Sequence, residues 1–429
     1  MENNKIQIAL LGLGTVGTGV YKVLKTQRSE MMSKLGVEIE IKKILVRNIQ
    51  KAAAKVDDSS ILTNDWYSIV NDDSIDIVVE VMGGLEPARG YIIDALQHGK
   101  NVISANKDLI AVDGGTLLDE AEKSGVDFMF EAAVAGGIPI IQPLKSSLQA
   151  NNIKEVVGIV NGTTNFILTK MAEEGMEFEE ALALATELGY AEADPTADIE
   201  GLDAARKVAI LASIAFHSRV TFRDVYAEGI TKITSSDIRY AKEMGCVIKL
   251  LGVAKNTEKG IEASVHPMLI DEKHPMASVN DSFNAVFVKG DAVGDTMFYG
   301  RGAGELPTAS AVVGDIFEVV RNISNHCTGR IGCTCYRKLP MKSRNDVVSK
   351  YFMRISVENK TGVLAAVTSV FGNNHVSIEQ FIQKRKEGEF AEIVVITEAV
   401  HERNFDDSVK ILQTMSMIKE ISSIIRVYE

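Results

Sequence analysis

The run Gly12-Leu13-Gly14-Thr15-Val16-Gly17 stands directly between an apolar stretch, Ile6 to Leu11, and a stretch of helical periodicity. No other feature restricts the fold as much. Gly12 permits a tight turn, Gly14 lets a pyrophosphate approach backbone N–H groups at the positive end of a helix, and Gly17 lets helix and strand pack closely. An ordinary strand–turn–helix with glycines kept for packing is the plainer alternative. Behind the motif, strand-like runs at Ile39 to Val46, Ile75 to Val81, Asn101 to Ser104 and Val126 to Phe130 alternate with helical patterns, one headed by Pro87 and closed by Gly99. That order predicts a parallel sheet with crossover helices, a Rossmann-type doubly wound α/β domain binding NAD or NADP through residues 12–17. The second strand ends in Leu45-Val46-Arg47-Asn48. A carboxylate there would bond a ribose 2′-hydroxyl, whereas Arg47, with Lys51, accommodates a 2′-phosphate and points to NADP. An arginine after a strand is also commonly just solvated surface.

Beyond residue 135 the pattern changes. A strand at Ile153 to Val160, helices at Phe166 to Glu174, Phe178 to Leu188 and Gly201 to Phe216, and strands at Glu262 to Leu269 and Ala285 to Lys289 form a second, α+β region over 136–305. A helix at Leu306 to Arg321 is expected to pack back on the first domain. Residues 322–349 read as an irregular linker, and 350–429 follow the order βαββαβ. Cys246 falls in an apolar stretch with a helical pattern.

The 429-residue chain carries a formal charge of -12. Nucleic acid or an anionic membrane surface would meet a repulsive average face, so small molecules are the expected partners. No run approaches the roughly 18 apolar residues of a membrane span, and the start, Met1 to Ile6, lacks a signal-like apolar segment, so a cytoplasmic location is expected. Four cysteines make no disulfide framework. Cys327, Cys333 and Cys335 lie near His326, and either a structural metal or a polar connecting segment accounts for them; the spacing lacks the usual paired zinc ligands.

Catalytic candidates gather at two places. Lys107 follows the fourth strand in Ser104-Ala105-Asn106-Lys107, at the carboxyl edge where a doubly wound sheet binds its ligand. The stretch Gly189-Tyr190-Ala191-Glu192-Ala193-Asp194-Pro195-Thr196-Ala197-Asp198 precedes a helix in which Asp203 and Lys207 are four apart, on one face. A surface ion pair would explain that spacing, but the helix is nearly all apolar past Lys207. A desolvated lysine there suits proton donation to an alkoxide formed by hydride transfer. Glu192, Asp198 and Asp203 make an acidic pocket suited to an ammonium group, hence to an amino-acid aldehyde.

The order of these motifs resembles the long, regulated form of homoserine dehydrogenase across nearly the whole chain. The likeness rests on Gly12 to Gly17, Ala105-Asn106-Lys107, Glu131-Ala132-Ala133-Val134-Ala135-Gly136-Gly137-Ile138-Pro139, Asn161-Gly162-Thr163-Thr164-Asn165, Gly189 to Lys207, and Gly300 to Thr308. The resemblance implies reduction of L-aspartate 4-semialdehyde to L-homoserine by direct hydride transfer from NADPH, in threonine, methionine and isoleucine biosynthesis. It implies Lys207 as proton donor, Asp203 holding substrate and lysine, Glu192 on the substrate amino group, and Tyr190, Thr163 and Asp198 close by. Lys107 would contact nicotinamide or substrate, and Gly189 and Gly302 the cofactor. A monovalent cation, usually sodium, would be held by Glu131, through side chain or carbonyl, and the carbonyls of Val134, Gly136 and Ile138. Oxygen ligands on a glycine-rich turn suit a hard cation. The plainer reading is an interdomain bend with Glu131 in a salt bridge. A homodimer or homotetramer is implied as well.

Residues 350–429, with Val357-Glu358-Asn359-Lys360-Thr361-Gly362-Val363, resemble an ACT domain, which implies allosteric control by L-threonine. Asn359 replaces the more usual aspartate, which leaves effector binding open, and a purely dimerising role is the alternative. Two rival functions differ in their needs. An aspartate semialdehyde dehydrogenase requires a nucleophilic cysteine, and a non-catalytic metabolite sensor has no use for a desolvated proton donor.

Overall fold

The structure is a computed structural model that describes residues 5–385 and 389–429. The first four residues, read above for a leader, lie outside the described residues. The chain divides into two compact units: residues 1–160, 205–225 and 283–338 in the first, and 161–204, 226–282 and 339–429 in the second.

Unit one begins with β1 (Lys5–Leu11), α1 (Thr15–Thr26), α2 (Arg28–Leu35), β2 (Glu38–Leu45), α3 (Ile49–Ala53), β3 (Leu62–Thr63), α4 (Tyr67–Val70), β4 (Ile77–Glu80), α5 (Ala88–Gln97), β5 (Asn101–Ser104), α6 (Lys107–Ser124) and β6 (Phe128–Met129). The six strands form one parallel sheet in the order β3-β2-β1-β4-β5-β6. The order reverses direction at β1, so the crevice at its carboxyl end is where such a sheet takes a ligand. β4 and β5 are buried at every position, as expected for strands covered on both faces. α7 (Ile141–Lys145) and β7 (Ile153–Ile159) follow.

Unit two takes up the chain with α8 (Gly162–Glu174), α9 (Phe178–Glu187), α10 (Thr196–Ile199) and the start of α11 (Leu202–Phe216), whose later turns belong to unit one. Next in unit two come β8 (Tyr226–Ala227), α12 (Ser235–Glu243), β9 (Cys246–Thr257) and β10 (Gly260–Asp271). Cys246 therefore opens a strand and not a helix. The residues from Ile248 to Ala254 are buried throughout, and a strand buried on both faces lacks the alternation that separates it from a buried helix.

The chain returns to unit one for β11 (Phe283–Gly290), β12 (Gly294–Arg301) and α13 (Glu305–Ser324). β11 pairs antiparallel with both β7 and β12. α13 lays Ala309, Val312, Val313, Ile316, Val319 and Val320 into the core that β1, β4 and α1 share. Residues 325–347 are irregular apart from a short turn at Arg344–Asp346. Unit two closes with β13 (Val348–Glu358), α14 (Val363–Asn373), β14 (Ile378–Arg385), β15 (Phe390–Thr397), β16 (Val400–His401), α15 (Glu402–Thr414) and β17 (Ile418–Val427). Its strands run β9-β10-β17-β13-β15-β14. The expected βαββαβ order is present, with β16 as an added two-residue strand.

Candidate active site

The glycine run forms a turn in which each glycine meets a different demand. Gly12 has φ +102 and donates its N–H to the Leu45 carbonyl at 2.9 Å. Gly14 caps α1 with open space where a side chain would stand. A Cβ on Gly17 would overlap the Gly12 carbonyl oxygen. Thr15 and Val16 form the first turn of α1. A groove of about 630 Å³ opens here, lined by Gly12, Leu13, Gly14, Arg47, Lys51 and Lys55 among others. Among the described residues no Asp or Glu lines it. Lys55 escaped the sequence reading, although 47, 51 and 55 are spaced at helical intervals. Its Nζ donates to the Leu13 carbonyl at 2.9 Å, and Asn48 caps α3 by accepting the Lys51 N–H at 2.8 Å.

The carboxyl ends of β4 and β5 are joined by Glu80, also unanticipated and fully buried. Its carboxylate accepts from the Met82 N–H (2.8 Å), the Gly83 N–H (3.2 Å) and the Ser104 hydroxyl (2.7 Å). Ser104 Oγ accepts the Asn106 N–H, and Asn106 donates to the Gly84 carbonyl at 2.7 Å while capping α6 at the Leu109 N–H. This network fixes the turn that presents Lys107, the first residue of α6. Lys207, half-buried on α11, donates through Nζ to the Val160 carbonyl at the end of β7, 2.7 Å away. Beside these lysines Arg206 pairs with Asp108 at 2.8 Å, so the two helices are tied at their starts. At Gly302 a Cβ would strike the Asn284 amide, so glycine is required for that close approach.

Unit two holds the remaining substrate candidates. Asn161 Nδ2 donates to Asp198 (2.6 Å) and to the buried Asp203 (2.9 Å), while its Oδ1 caps α8 at the Thr164 N–H. Thr163 donates to the Tyr190 carbonyl at 2.7 Å, and the Tyr190 ring lies 4.8 Å from that of Phe166. Glu192 is exposed on the turn between α9 and α10, and Gly189 (φ +77) follows the end of α9. Asn161 is the organiser that charge patterning alone could not reveal. Its sequence signal was the cap pattern Asn161-Gly162-Thr163-Thr164.

Compared with known proteins, residues 12–131 match the family described as homoserine dehydrogenase, NAD binding domain, residues 139–317 match homoserine dehydrogenase, and residues 351–415 match the ACT domain. The homoserine dehydrogenase of Bacillus subtilis is 44% identical over 98% of this chain and 98% of its own. The chain belongs to the homoserine dehydrogenase family. It is an NAD(P)-dependent oxidoreductase with a Rossmann-like nucleotide domain, a catalytic domain and a C-terminal ACT domain. The crystal structure of a homoserine dehydrogenase from Thiobacillus denitrificans superimposes with a TM-score of 0.94 at 42% identity, covering 99% of this chain and 98% of that one. A hyperthermophilic archaeal homoserine dehydrogenase mutant in complex with NADPH matches at TM-score 0.64 and 27% identity, over 73% of this chain and 97% of that one.

In this chain the Glu131 carboxylate is buried and accepts three backbone N–H groups, from Ile140 (2.6 Å), Ile141 (2.8 Å) and Gln142 (2.7 Å). Its own N–H donates to Asp315 at 2.8 Å. Burial raises the pKa of Glu131 and, helped by the Glu131 charge, raises that of Asp315 well above the usual carboxylate range. Lys145, buried nearby, is pushed down by the same desolvation. The Glu131 carbonyl accepts a long bond, 3.4 Å, from the Val134 N–H. Ala135 and Gly136 are both left-handed (φ +56 and +54), and a Cβ on Gly136 would strike the Gly302 carbonyl. The Ala135 carbonyl in this turn accepts the Ile138 N–H at 2.9 Å, and backbone carbonyl oxygens are the kind of donor a hard cation takes.

Proposed function

We propose that the enzyme interconverts L-aspartate 4-semialdehyde and L-homoserine, prefers NADPH and NADP, and uses Lys207 as the proton donor. The observation that carries the reading is the half-buried Lys207 ammonium, held at 2.7 Å by the Val160 carbonyl in the unit that contains the glycine turn. NADPH, when bound, supplies the hydride. Lys207 then delivers a proton to the oxygen that gains charge, and Lys107 orients the nicotinamide or the carbonyl. Asp203 and Asp198, fixed by Asn161, hold the substrate with Thr163 and Tyr190, and Glu192 binds its ammonium group. Gly189 and Gly302 touch the cofactor. The cations Arg47, Lys51 and Lys55 in a groove without carboxylates among its described residues support the NADP preference.

For a sodium ion the donors are the carbonyls of Glu131, Val134, Gly136 and Ile138; the Glu131 carboxylate is already committed to three N–H groups. L-Threonine as feedback effector is supported by the ACT match and by a cavity of about 160 Å³ at the turn containing Asn359, Thr361 and Gly362. Among the described residues no helix is long and apolar enough to cross a membrane, and we place the enzyme in the cytoplasm as a homodimer or homotetramer. The test is NADPH oxidation with L-aspartate 4-semialdehyde, with and without L-threonine, by wild type and Lys207→Ala. Loss of about 10²- to 10⁴-fold in kcat, with NADPH affinity unchanged, is expected for the variant. Cofactor binding without turnover in the wild type would favour a sensor instead, and threonine-insensitive turnover would leave the ACT domain an assembly role.

A further inference from the structure

A cavity of about 200 Å³ lies in unit one between α6 and the later turns of α11, and its wall carries Cys333 and Cys335. Nothing in the proposed reaction uses this cavity. The segment carrying the two thiols is sewn to the end of α11. Cys335 Sγ lies 3.5 Å from the Ser213 carbonyl, the Tyr336 ring stacks on His217 at 4.9 Å, and the Arg337 N–H donates to the His217 carbonyl at 2.8 Å. Arg219 links the same place to α6. Its guanidinium pairs with Asp119, donates to the Cys333 sulfur, and lies where a Cβ on Gly115 would stand 3.1 Å from it. The two thiols and the Arg219–Asp119 pair therefore hold the far ends of the helices whose starts bear Lys107 and Lys207. Ser213 is six residues beyond Lys207, about 9 Å along the helix.

The chemistry of the two sulfurs differs. A hydrogen bond shared with Cys335, with help from Arg219, lowers the Cys333 pKa below the usual thiol value, which favours its thiolate. The interaction with Cys333 and burial raise the Cys335 pKa, which keeps it protonated. Both residues are partly exposed. A thiolate in a cationic, partly open setting beside a second thiol is the arrangement of a peroxide-reactive cysteine with its resolving partner.

We propose that Cys333 and Cys335 are a reversible oxidation site for hydroperoxides, and that the disulfide they form slackens the α6–α11 pairing and slows turnover. In the first step the Cys333 thiolate attacks one peroxide oxygen, the O–O bond breaks, and Cys333 becomes a sulfenic acid with release of hydroxide. In the second, Cys335 loses its proton and attacks the Cys333 sulfur; the S–S bond forms and the hydroxyl leaves as water. Overall two thiols and one hydrogen peroxide give one disulfide and two waters, and a dithiol reductant reverses it. A disulfide sulfur carries no proton, so oxidation removes the Cys335 hydrogen bond to the Ser213 carbonyl, one tie between this segment and α11.

The turnover arm rests on the dehydrogenase reading, but the thiol chemistry does not. The full-length protein is treated with hydrogen peroxide, and the peptide spanning Cys333 to Cys335 is weighed alongside those carrying Cys246 and Cys327. Homoserine oxidation is followed before oxidation, after it, and after dithiothreitol. The expected result is loss of two hydrogens from the Cys333–Cys335 peptide first, a several-fold fall in turnover, and recovery with dithiothreitol. Cys335→Ser should stop at a sulfenic acid that dimedone traps, and Cys333→Ser should keep its activity in peroxide. Earlier oxidation of Cys246 or Cys327 overturns the site, and a formed disulfide with unchanged turnover overturns the coupling. Absence of turnover in the untreated protein would instead refute the dehydrogenase reading, with the mass result still deciding the site.

Discussion

Substituting Gly17 and Gly14 separates the two tasks of the nucleotide turn. A Cβ at Gly17 would overlap the Gly12 carbonyl oxygen and stand 3.0 Å from the Gly12 carbonyl carbon and 3.2 Å from Val81 Cγ2. Two of these neighbours are backbone atoms of the turn itself, so relief requires α1 to lift or the turn to shift. Overpacking of this kind costs about 1–3 kcal/mol, and the better helix propensity of alanine returns about 1 kcal/mol. Gly17→Ala should therefore lose up to about 2 kcal/mol in urea-unfolding stability. Displacing the N–H groups by even part of an ångström should also weaken NADPH binding by roughly tenfold or more, the equivalent of 1.4 kcal/mol. Gly14 has φ -74, and no atom lies within 4 Å of the point where its Cβ would stand, so Gly14→Ala should leave the unfolding midpoint nearly unchanged. It should still weaken NADPH, because the methyl group occupies the space through which the pyrophosphate approaches. Fluorescence titration of NADPH and urea unfolding of both variants decide the matter. If Gly14→Ala bound NADPH as tightly as wild type, the pyrophosphate would not lie at this turn and the cofactor placement would be wrong.

Three further expectations follow from buried charges. Glu80→Gln leaves the Ser104 hydroxyl without its carboxylate acceptor and weakens the two N–H bonds at Met82 and Gly83; a loss of about 1–3 kcal/mol together with reduced turnover should appear, and unchanged values of both would deny it a positioning role. Arg354 joins Asp237 (2.9 Å) and Glu392 (3.0 Å), all three buried, so Arg354→Met should cost about 3–5 kcal/mol in urea unfolding, and a cost below about 1 kcal/mol would mean the charges find other partners. Lys249 is buried against the Val279 carbonyl, Asn165 and Asn280, and burial lowers its pKa from 10.5 to about 8. Between those values the unfolded chain binds more protons than the folded one, so wild-type stability relative to Lys249→Met should rise from pH 8 to 10.5, by up to about 3 kcal/mol; a flat difference would refute the shift.

The sequence was most legible where structure is local. The glycine turn and the elements of the βαββαβ order each depend on residues a few positions apart, and local spacing and hydrophobic periodicity carry that information. Glu80 was invisible because its partners are the backbone at 82 and 83 and the side chain at 104, which only the β4–β5 pairing brings together. β9 was misread and β12 passed unnoticed. The first is buried on both faces, and the second, Gly-Asp-Thr-Met-Phe-Tyr-Gly-Arg, has no buried position, so neither shows the alternation of a half-buried strand. β3 has only two residues, too few for any period. Lys55 was missed for another reason: its helical spacing from Arg47 and Lys51 was readable, but its value depends on the Leu13 carbonyl it reaches.

The charge of the whole chain says little about the charge at either ligand turn. With a formal net charge of -12 the average surface repels anions, yet the groove beside the glycine turn presents Arg47, Lys51 and Lys55 without a carboxylate among its described lining residues. In unit two the turn from Gly189 to Asp203 holds Glu192, Asp194, Asp198 and Asp203, and Asn161 spaces two of these carboxylates. At physiological ionic strength charges more than about 8 Å away are largely screened, so each ligand meets the local sign and not the sum. On the proposed function a dinucleotide phosphate would meet cations and an amino-acid ammonium would meet carboxylates. A chain of opposite net charge with the same two turns would offer its ligands the same short-range attraction. The net charge bears on the partners that approach whole faces, and the site charges decide which small molecules stay.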